Sequence, residues 1–310
     1  MNTLNRMATE LVDETIDFAD ELTIDVHALE GDAAVLDFGV NVPGAVEAGL
    51  VLSELQTAGL ATVQTGMARV GNAPLTHVEL STDHPALALL CAQKGGWELS
   101  VDDFEGLGSG PARALVAEED IFQRLGYDED EQFAVLAVEA DELPGQAVAA
   151  QVAERTGVPE TGVFLPVFAT ASVTGGVVAA ARAAELAVFR LAELGYDPAE
   201  VLSANGRAPV APVADSEEAA MARTTDALAY GSEVHLTVDE SFDRFGEVPS
   251  IAGSEYGRPL EGVFEDADWD FADLPVELFG PAKVTVDVVG GDTHVTGETS
   301  DDVLAESFGL

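Results

Sequence analysis

Positive charge is what this sequence has least of. Thirteen Lys and Arg face 57 Asp and Glu in 310 residues, a formal net charge of −44, and the only lysines are Lys94 and Lys283. A chain this acidic would be repelled by nucleic acid and by an anionic membrane surface, so neither is expected as a partner. Cysteine is nearly absent too: Cys91 stands alone, which rules out an intrachain disulfide. No apolar run approaches the ~20 residues of a membrane span. The first stretch, "MNTLNRMATELVDETIDFADEL", is acidic and lacks an apolar signal core, so a cytoplasmic protein is expected. The five histidines, His27, His77, His84, His235 and His294, form no HExxH or HxH pair, and a CxxC pair is impossible. No metal site is expected on those spacings.

What is present is ample apolar material, 47% of the residues, enough for one large or two ordinary cores. The acids are not gathered into a tail. They are spread through segments with apolar periodicity, which reads as a folded protein with a carboxylate-coated surface. Such a surface repels itself at low ionic strength and is relieved in molar salt, where the Debye length falls to roughly 3 Å. A salt-loaded, halophilic cell is the expected source.

Helices and strands alternate along the chain, giving a mixed α/β (α+β) class. The first segment reads as an amphipathic helix with Leu4, Met7, Leu11, Phe18 and Leu22 near one face. Strands are expected at "TIDVHAL", "AAVLDFG", "FAVLAVEA" and "GVFLPVFA", with hairpins over 60–80 and around Gly290-Gly291-Asp292. Helices are expected near 45–57, 85–94, 118–125, 144–156 and 216–229, and one continuous helix over "VTGGVVAAARAAELAVFRLAELG", Val173 to Gly195. With no fixed repeat, the 310 residues read as one functional unit with two sub-domains, possibly discontinuous, sharing a crevice. The best boundary loop is "NGRAPVAPVADSEE", 205–218.

Two local patterns carry possible chemistry. "GLGSGP", Gly106 to Pro111, resembles a phosphate loop without matching G-x-x-x-x-G-K-[ST], the dinucleotide fingerprint or a G-x-S-x-G elbow. It is either a tight loop or an anion nest assisted by Arg113. The second pattern is Arg182 with Glu185. Residues three apart share a helix face, and Ala and Val surround this pair. Acid C-terminal to base is the less favourable order for helix stability, so the pair is either an ordinary ion pair or a catalytic base with its orienting cation. In a chain that avoids positive charge, Lys94, Arg113, Arg182, Arg258 and Lys283 each hold an anion or a specific carboxylate on this reasoning.

Taken in order, a set of segments resembles the methenyltetrahydromethanopterin cyclohydrolase family, in a haloarchaeal version. They are "DFGVNVPGAVEAGL" (37–50), "TDHPALALLCAQKGGW" (82–97), "GSGPARAL" (108–115), "DELP" (141–144), "ATASVTGG" (169–176), "ARAAE" (181–185), "APVAP" (208–212), "YGSEVH" (230–235), "GSEYGRP" (253–259) and "FGPAKV" (279–284). Each is short, but the ordered set is specific and covers nearly the whole chain. The resemblance implies hydrolysis of the methenyl bridge of a reduced pterin carrier to the formyl carrier, with no metal and no redox cofactor. It also implies a homotrimer whose subunits have two α/β domains with the pocket between them. It makes Glu185 the general base and Arg182 its partner, and it points to Lys94, Gly108, Ser109, Gly110, Arg113 and Ser172 as substrate-binding. The small residues around the pair would then let a flat pterin approach the helix. The carrier is tetrahydromethanopterin or, alternatively, a tetrahydrofolate, and the remaining alternative is a carrier-binding protein without turnover.

Overall fold

The computed structural model describes residues 3–310, which divide into two compact units. The first unit takes the chain up to Ala61 together with Leu87–Gly175. The second takes Thr62–Ala86 together with Gly176–Leu310. Both are discontinuous, because the second unit takes its hairpin Thr62–Val70 and Ala73–Thr82 from between two segments of the first. The segment 205–218, expected as a boundary, lies inside the second unit. It starts within the strand Val201–Pro209, which is hydrogen-bonded on both sides. Its Gly and Pro residues had the look of a linker.

The first unit is built on a mixed sheet in the order Asp25–Ala28, Ala34–Gly39, Val163–Phe168, Ala137–Glu139, Phe104–Ser109, Gly95–Val101, with Ala134–Val135 also pairing Val163–Phe168. The three strands Ala34–Gly39, Val163–Phe168 and Ala137–Glu139 run parallel, and antiparallel strands flank them. As expected for strands covered on both faces, these central ones are near-continuous apolar runs. Val35, Leu136, Val138, Leu165 and Val167 form one core with Val148 and Val152 of the helix Gln146–Thr156.

The first helix, Leu4–Asp17, buries Leu4, Ala8 and Val12, a face rotated from the expected one. The helix stops at Asp17, so Phe18 leaves the face and is exposed. The anchor is polar: buried Asn5 donates from Nδ2 to Pro111 O at 2.7 Å and accepts from Val135 N at 3.0 Å. Periodicity of apolar residues alone does not reveal a buried asparagine.

The second unit carries a six-stranded sheet in the order Thr293–Gly297, Lys283–Val288, Glu233–Val238, Val201–Pro209, Ala73–Thr82, Thr62–Val70. All neighbours are antiparallel except the pair Glu233–Val238 and Lys283–Val288. Strand alternation sends Ala204, Gly206 and Ala208 inward and Asn205 outward. Helices Ala183–Glu193 and Glu217–Gly231 pack on Val201–Pro209, and Asp301–Phe308 packs on Glu217–Gly231. Tyr230, Leu260, Phe264, Leu278, Leu304 and Phe308 fill the core on that side. The helix Glu217–Gly231 begins where Ser216 Oγ accepts from Ala219 N at 3.2 Å, an ordinary N-cap.

Candidate active site

The segment expected as one helix is two, Val173–Ala180 and Ala183–Glu193. Neither Gly nor Pro breaks it. Arg182 N bonds Ala179 O at 3.1 Å, one residue short of α-helical spacing, and the chain restarts from there. Arg182 thereby becomes the residue preceding the second helix, and Glu185 falls in its first turn. A carboxylate there faces the positive end of the helix dipole, which favours negative charge. The disfavoured acid–base order noted in the sequence does not apply, because Arg182 stands outside the helix it pairs with.

The pair itself forms. Arg182 Nε and Nη2 both lie 2.9 Å from Glu185 Oε2. Its burial is uneven: the Arg182 side chain is 27% exposed and that of Glu185 2%. A buried ion pair is tolerated when its hydrogen bonds are good, as here. The small residues beside the pair do not form an open shelf for a flat ligand. Ala183, Ala184 and Ala187 are buried. A Cβ placed on Gly206 would lie 2.6 Å from Ala184 N, so the first turn of the helix is pressed onto the sheet at a glycine. Gly206 was overlooked in the sequence because it sat in the supposed boundary loop. The legible signal was a glycine between Ala204 and Ala208 on one strand face, a sign of close backbone approach.

The other six candidate residues all lie in the first unit, and most have structural partners. Arg113 is buried and donates to the carbonyls of Leu90 (3.1 Å), Ala92 (3.1 Å) and Lys94 (2.7 Å) around the end of the helix Ala86–Gln93. Its Nε bonds Glu119 Oε1 at 2.9 Å, and its Nη2 also bonds that oxygen. Lys94 Nζ reaches the other oxygen, Glu119 Oε2, at 2.8 Å. Burial alone would raise the Glu119 carboxyl, but Arg113 and Lys94 carry it below the ordinary carboxylate range. The reasoning that each scarce cation holds an anion is right for these two, and the anion is the chain's own Glu119.

The glycine-rich stretch is neither tight loop nor nest. Phe104–Ser109 is a strand paired on both sides, with Gly108 opposite Val138 and Trp97. A side chain on Gly108 would press on Leu136 and Trp97, so this glycine serves packing. Gly110 has φ +103° and donates to Ala92 O at 2.8 Å. Ser109 Oγ accepts from Gln56 Nε2 at 2.9 Å. Ser172 is a helix cap: its Oγ accepts from Gly175 N at 2.9 Å and donates to Ala169 O at 2.7 Å.

One further loop lies in the segment 37–50, where the sequence reads as a turn at Asn41–Gly44 before a helix. Asp37, fully buried, accepts from the N–H groups of Gly39 (3.0 Å), Val40 (2.7 Å) and Asn41 (2.9 Å), which sets the course of "GVNVPG". At its end Gly44 has φ +73°, and a Cβ there would lie 2.6 Å from Thr174 Oγ1. Among the described residues no group of three or more His, Cys, Asp or Glu is arranged to hold a metal ion, and no helix is long and apolar enough to cross a membrane.

The fold is mixed α/β, and its second unit holds a withdrawn carboxylate, Glu185, beside the Arg182 guanidinium. The family model described as "Cyclohydrolase (MCH)" matches residues 3–308. The chain is 57% identical over 310 residues to the methenyltetrahydromethanopterin cyclohydrolase of Halobacterium salinarum, with both chains covered completely. It is 39% identical over 320 residues to the enzyme of that name from Methanocella arvoryzae, and 37% identical over 319 residues to the one from Methanocaldococcus jannaschii, covering 100% of this chain and 99% of each relative. The chain belongs to the methenyltetrahydromethanopterin cyclohydrolase family. It is an enzyme, a hydrolase acting on carbon–nitrogen bonds.

Proposed function

We propose that the protein hydrolyses 5,10-methenyl-tetrahydromethanopterin to 5-formyl-tetrahydromethanopterin, with Glu185 as general base and Arg182 as its partner. The observation that carries the site is the inverted burial of this pair. Among the nine ion pairs of the described residues it is the only one whose acid is more enclosed than its base. The names of the relatives support the substrate.

The methenyl carbon lies between two nitrogens and is an amidinium-type electrophile. Water adds through oxygen to that carbon as the carboxylate takes its proton. The added hydroxyl then gives up its proton as the bond to the second nitrogen breaks and that nitrogen takes one up, leaving a formyl group on the ring nitrogen, and one proton is released overall. The electrophile is already cationic, so the chemistry demands neither a Lewis acid nor an electron carrier, and the reading is metal-independent. A base positioned on the attacking water contributes typically 10²–10⁴-fold. The homotrimer and the cytoplasmic location belong to the same reading, the first carried over from the family resemblance and the second from the acid-rich composition.

The test follows loss of the methenyl chromophore in molar salt. Glu185→Gln is expected to fold as the wild type and lose roughly 10²-fold or more in kcat, with turnover by the wild type unchanged after exhaustive chelation. Wild-type-like hydrolysis by Glu185→Gln overturns the assignment of the base. A tetrahydrofolate carrier hydrolysed faster than the methanopterin one overturns the substrate. Tight pterin binding without hydrolysis by the wild type overturns the enzymatic role.

A further inference from the structure

We infer that Gly206 is a positioning residue for Glu185, the seat that sets the height of the carboxylate above the sheet. This rests on the proposed role of Glu185. Gly206 lies in the strand Val201–Pro209, opposite Leu80 on one side and Val234 on the other, so ladders on both sides hold its backbone. Its inward face meets the first turn of the helix Ala183–Glu193. A Cβ there would stand 2.6 Å from Ala184 N, 3.0 Å from Ala184 Cβ and 3.1 Å from Ala184 Cα. The nearest atom is backbone, so no side-chain rotation relieves the contact.

Two things could give way, the strand or the helix terminus. The strand is clamped between neighbours. The helix terminus starts at an irregular turn, with Arg182 N bonded to Ala179 O instead of the α-helical acceptor. The terminus is therefore what moves, and Glu185, next after Ala184, moves with it. Restoring ordinary contact needs a shift of about 1 Å, and a misplacement of that size at a reacting group costs roughly 10²-fold in rate. Alanine at position 206 fits the strand, keeps its neighbours Ala204 and Ala208 in kind, and touches the chemistry only through the helix.

The experiment compares Gly206→Ala, Glu185→Gln and the double variant in the full chain, with Gly66→Ala as control. Gly66 lies in the same sheet, where a Cβ would meet Glu79 Oε1 at an ordinary 3.5 Å. Gly206→Ala is expected to lose roughly 10²-fold in kcat with KM within about twofold, and Gly66→Ala to match the wild type. In the Glu185→Gln background, Gly206→Ala is expected to change the residual rate by less than about twofold, because the group it displaces is already disabled. Wild-type kcat in Gly206→Ala overturns the inference. So does an equal further loss in the Glu185→Gln background, which marks a general effect on the fold. If Gly206→Ala does not fold, Ala184→Ser adds one atom at the same contact from the helix side and takes its place in the same cycle. Failure of both to fold makes the position one of packing alone and overturns the inference. Wild-type turnover by Glu185→Gln alone instead strikes the proposed base.

Discussion

Asp226→Asn should stabilise the second unit, and by more the higher the pH. Asp226 lies on the helix Glu217–Gly231 with no exposed surface. Its Oδ1 accepts from Leu260 N at 3.0 Å and its Oδ2 from Ser307 Oγ at 2.6 Å. No cation is among the groups that shift it. Burial pushes the carboxyl up to about 7 from 3.8, and Glu261 adds to the rise against the two hydrogen bonds. In the unfolded chain this group ionises near 4, whereas in the folded chain it keeps its proton until about pH 7. Its contribution to stability is therefore fully present below pH 4, declines as pH rises through the window from 4 to 7, and is gone above. Three pH units at 1.36 kcal/mol each make the loss about 4 kcal/mol.

Asparagine cannot ionise. It keeps the acceptor for Leu260 N–H, and its amide can donate to Ser307 Oγ, whose hydrogen turns away. Denaturant titrations of wild type and Asp226→Asn in molar KCl at pH 5, 6.5 and 8 isolate the group from the other 56 carboxylates. The gain should be about 1.5 kcal/mol at pH 5 and about 4 kcal/mol at pH 8. A stability difference that is the same at all three pH values refutes the reasoning, since it means the carboxyl ionises alike in both states.

Three other expectations separate structure from chemistry. Arg113→Met should destabilise the first unit by about 2 kcal/mol, because it takes a buried donor from the carbonyls of Leu90 and Lys94 and leaves Glu119 to Lys94 alone, while KM of the folded fraction stays as in wild type; a raised KM at unchanged stability would make Arg113 a substrate ligand. Ser172→Ala should cost about 1 kcal/mol in a melting experiment through the lost cap, with kcat and KM unchanged. Cys91 is enclosed, and its thiol is pushed up to about 12 chiefly by burial, so iodoacetamide at pH 8 should label it only in denaturant; fast labelling of the native enzyme would contradict that burial.

The sequence made much of the fold legible wherever a local pattern and a tertiary role coincide. "AAVLDFG", "GVFLPVFA", the 60–80 hairpin and the turn at Gly290-Gly291-Asp292 are such places. It failed where composition imitates another element. Phe104–Ser109 contains two glycines because Val138 and Glu139 crowd Gly106 while Leu136 and Trp97 crowd Gly108, yet glycines so closely spaced look like a loop. The turn at Ala181–Arg182 has no local breaker, so spacing could bring Arg182 and Glu185 together but could not put the joint between them. Glu119 was invisible for a different reason. Among 57 acids, nothing marks the one that two cations share.

Scarcity of cations gave a correct premise, and the structure shows how to divide its conclusions. Arg113 and Arg190 are enclosed, and each meets an acid that water still reaches: the side-chain exposures are 3% against 33% for Arg113–Glu119 and 6% against 43% for Arg190–Glu277. An acid-coated protein makes such pairs easily, because its carboxylates are at the surface already and a buried arginine needs only one of them to turn inward. Arg182 and Glu185 reverse that arrangement. Withdrawing the carboxylate costs its hydration, and packing could have been served by any apolar residue on that helix. What the carboxylate gains is a fixed place at a helix N-terminus beside a guanidinium, with water largely excluded. That is the setting in which a base keeps its orientation without competition from solvent. Scarcity alone therefore identifies cations that matter, and the direction of burial separates those that hold the fold together from the one that holds the proposed base.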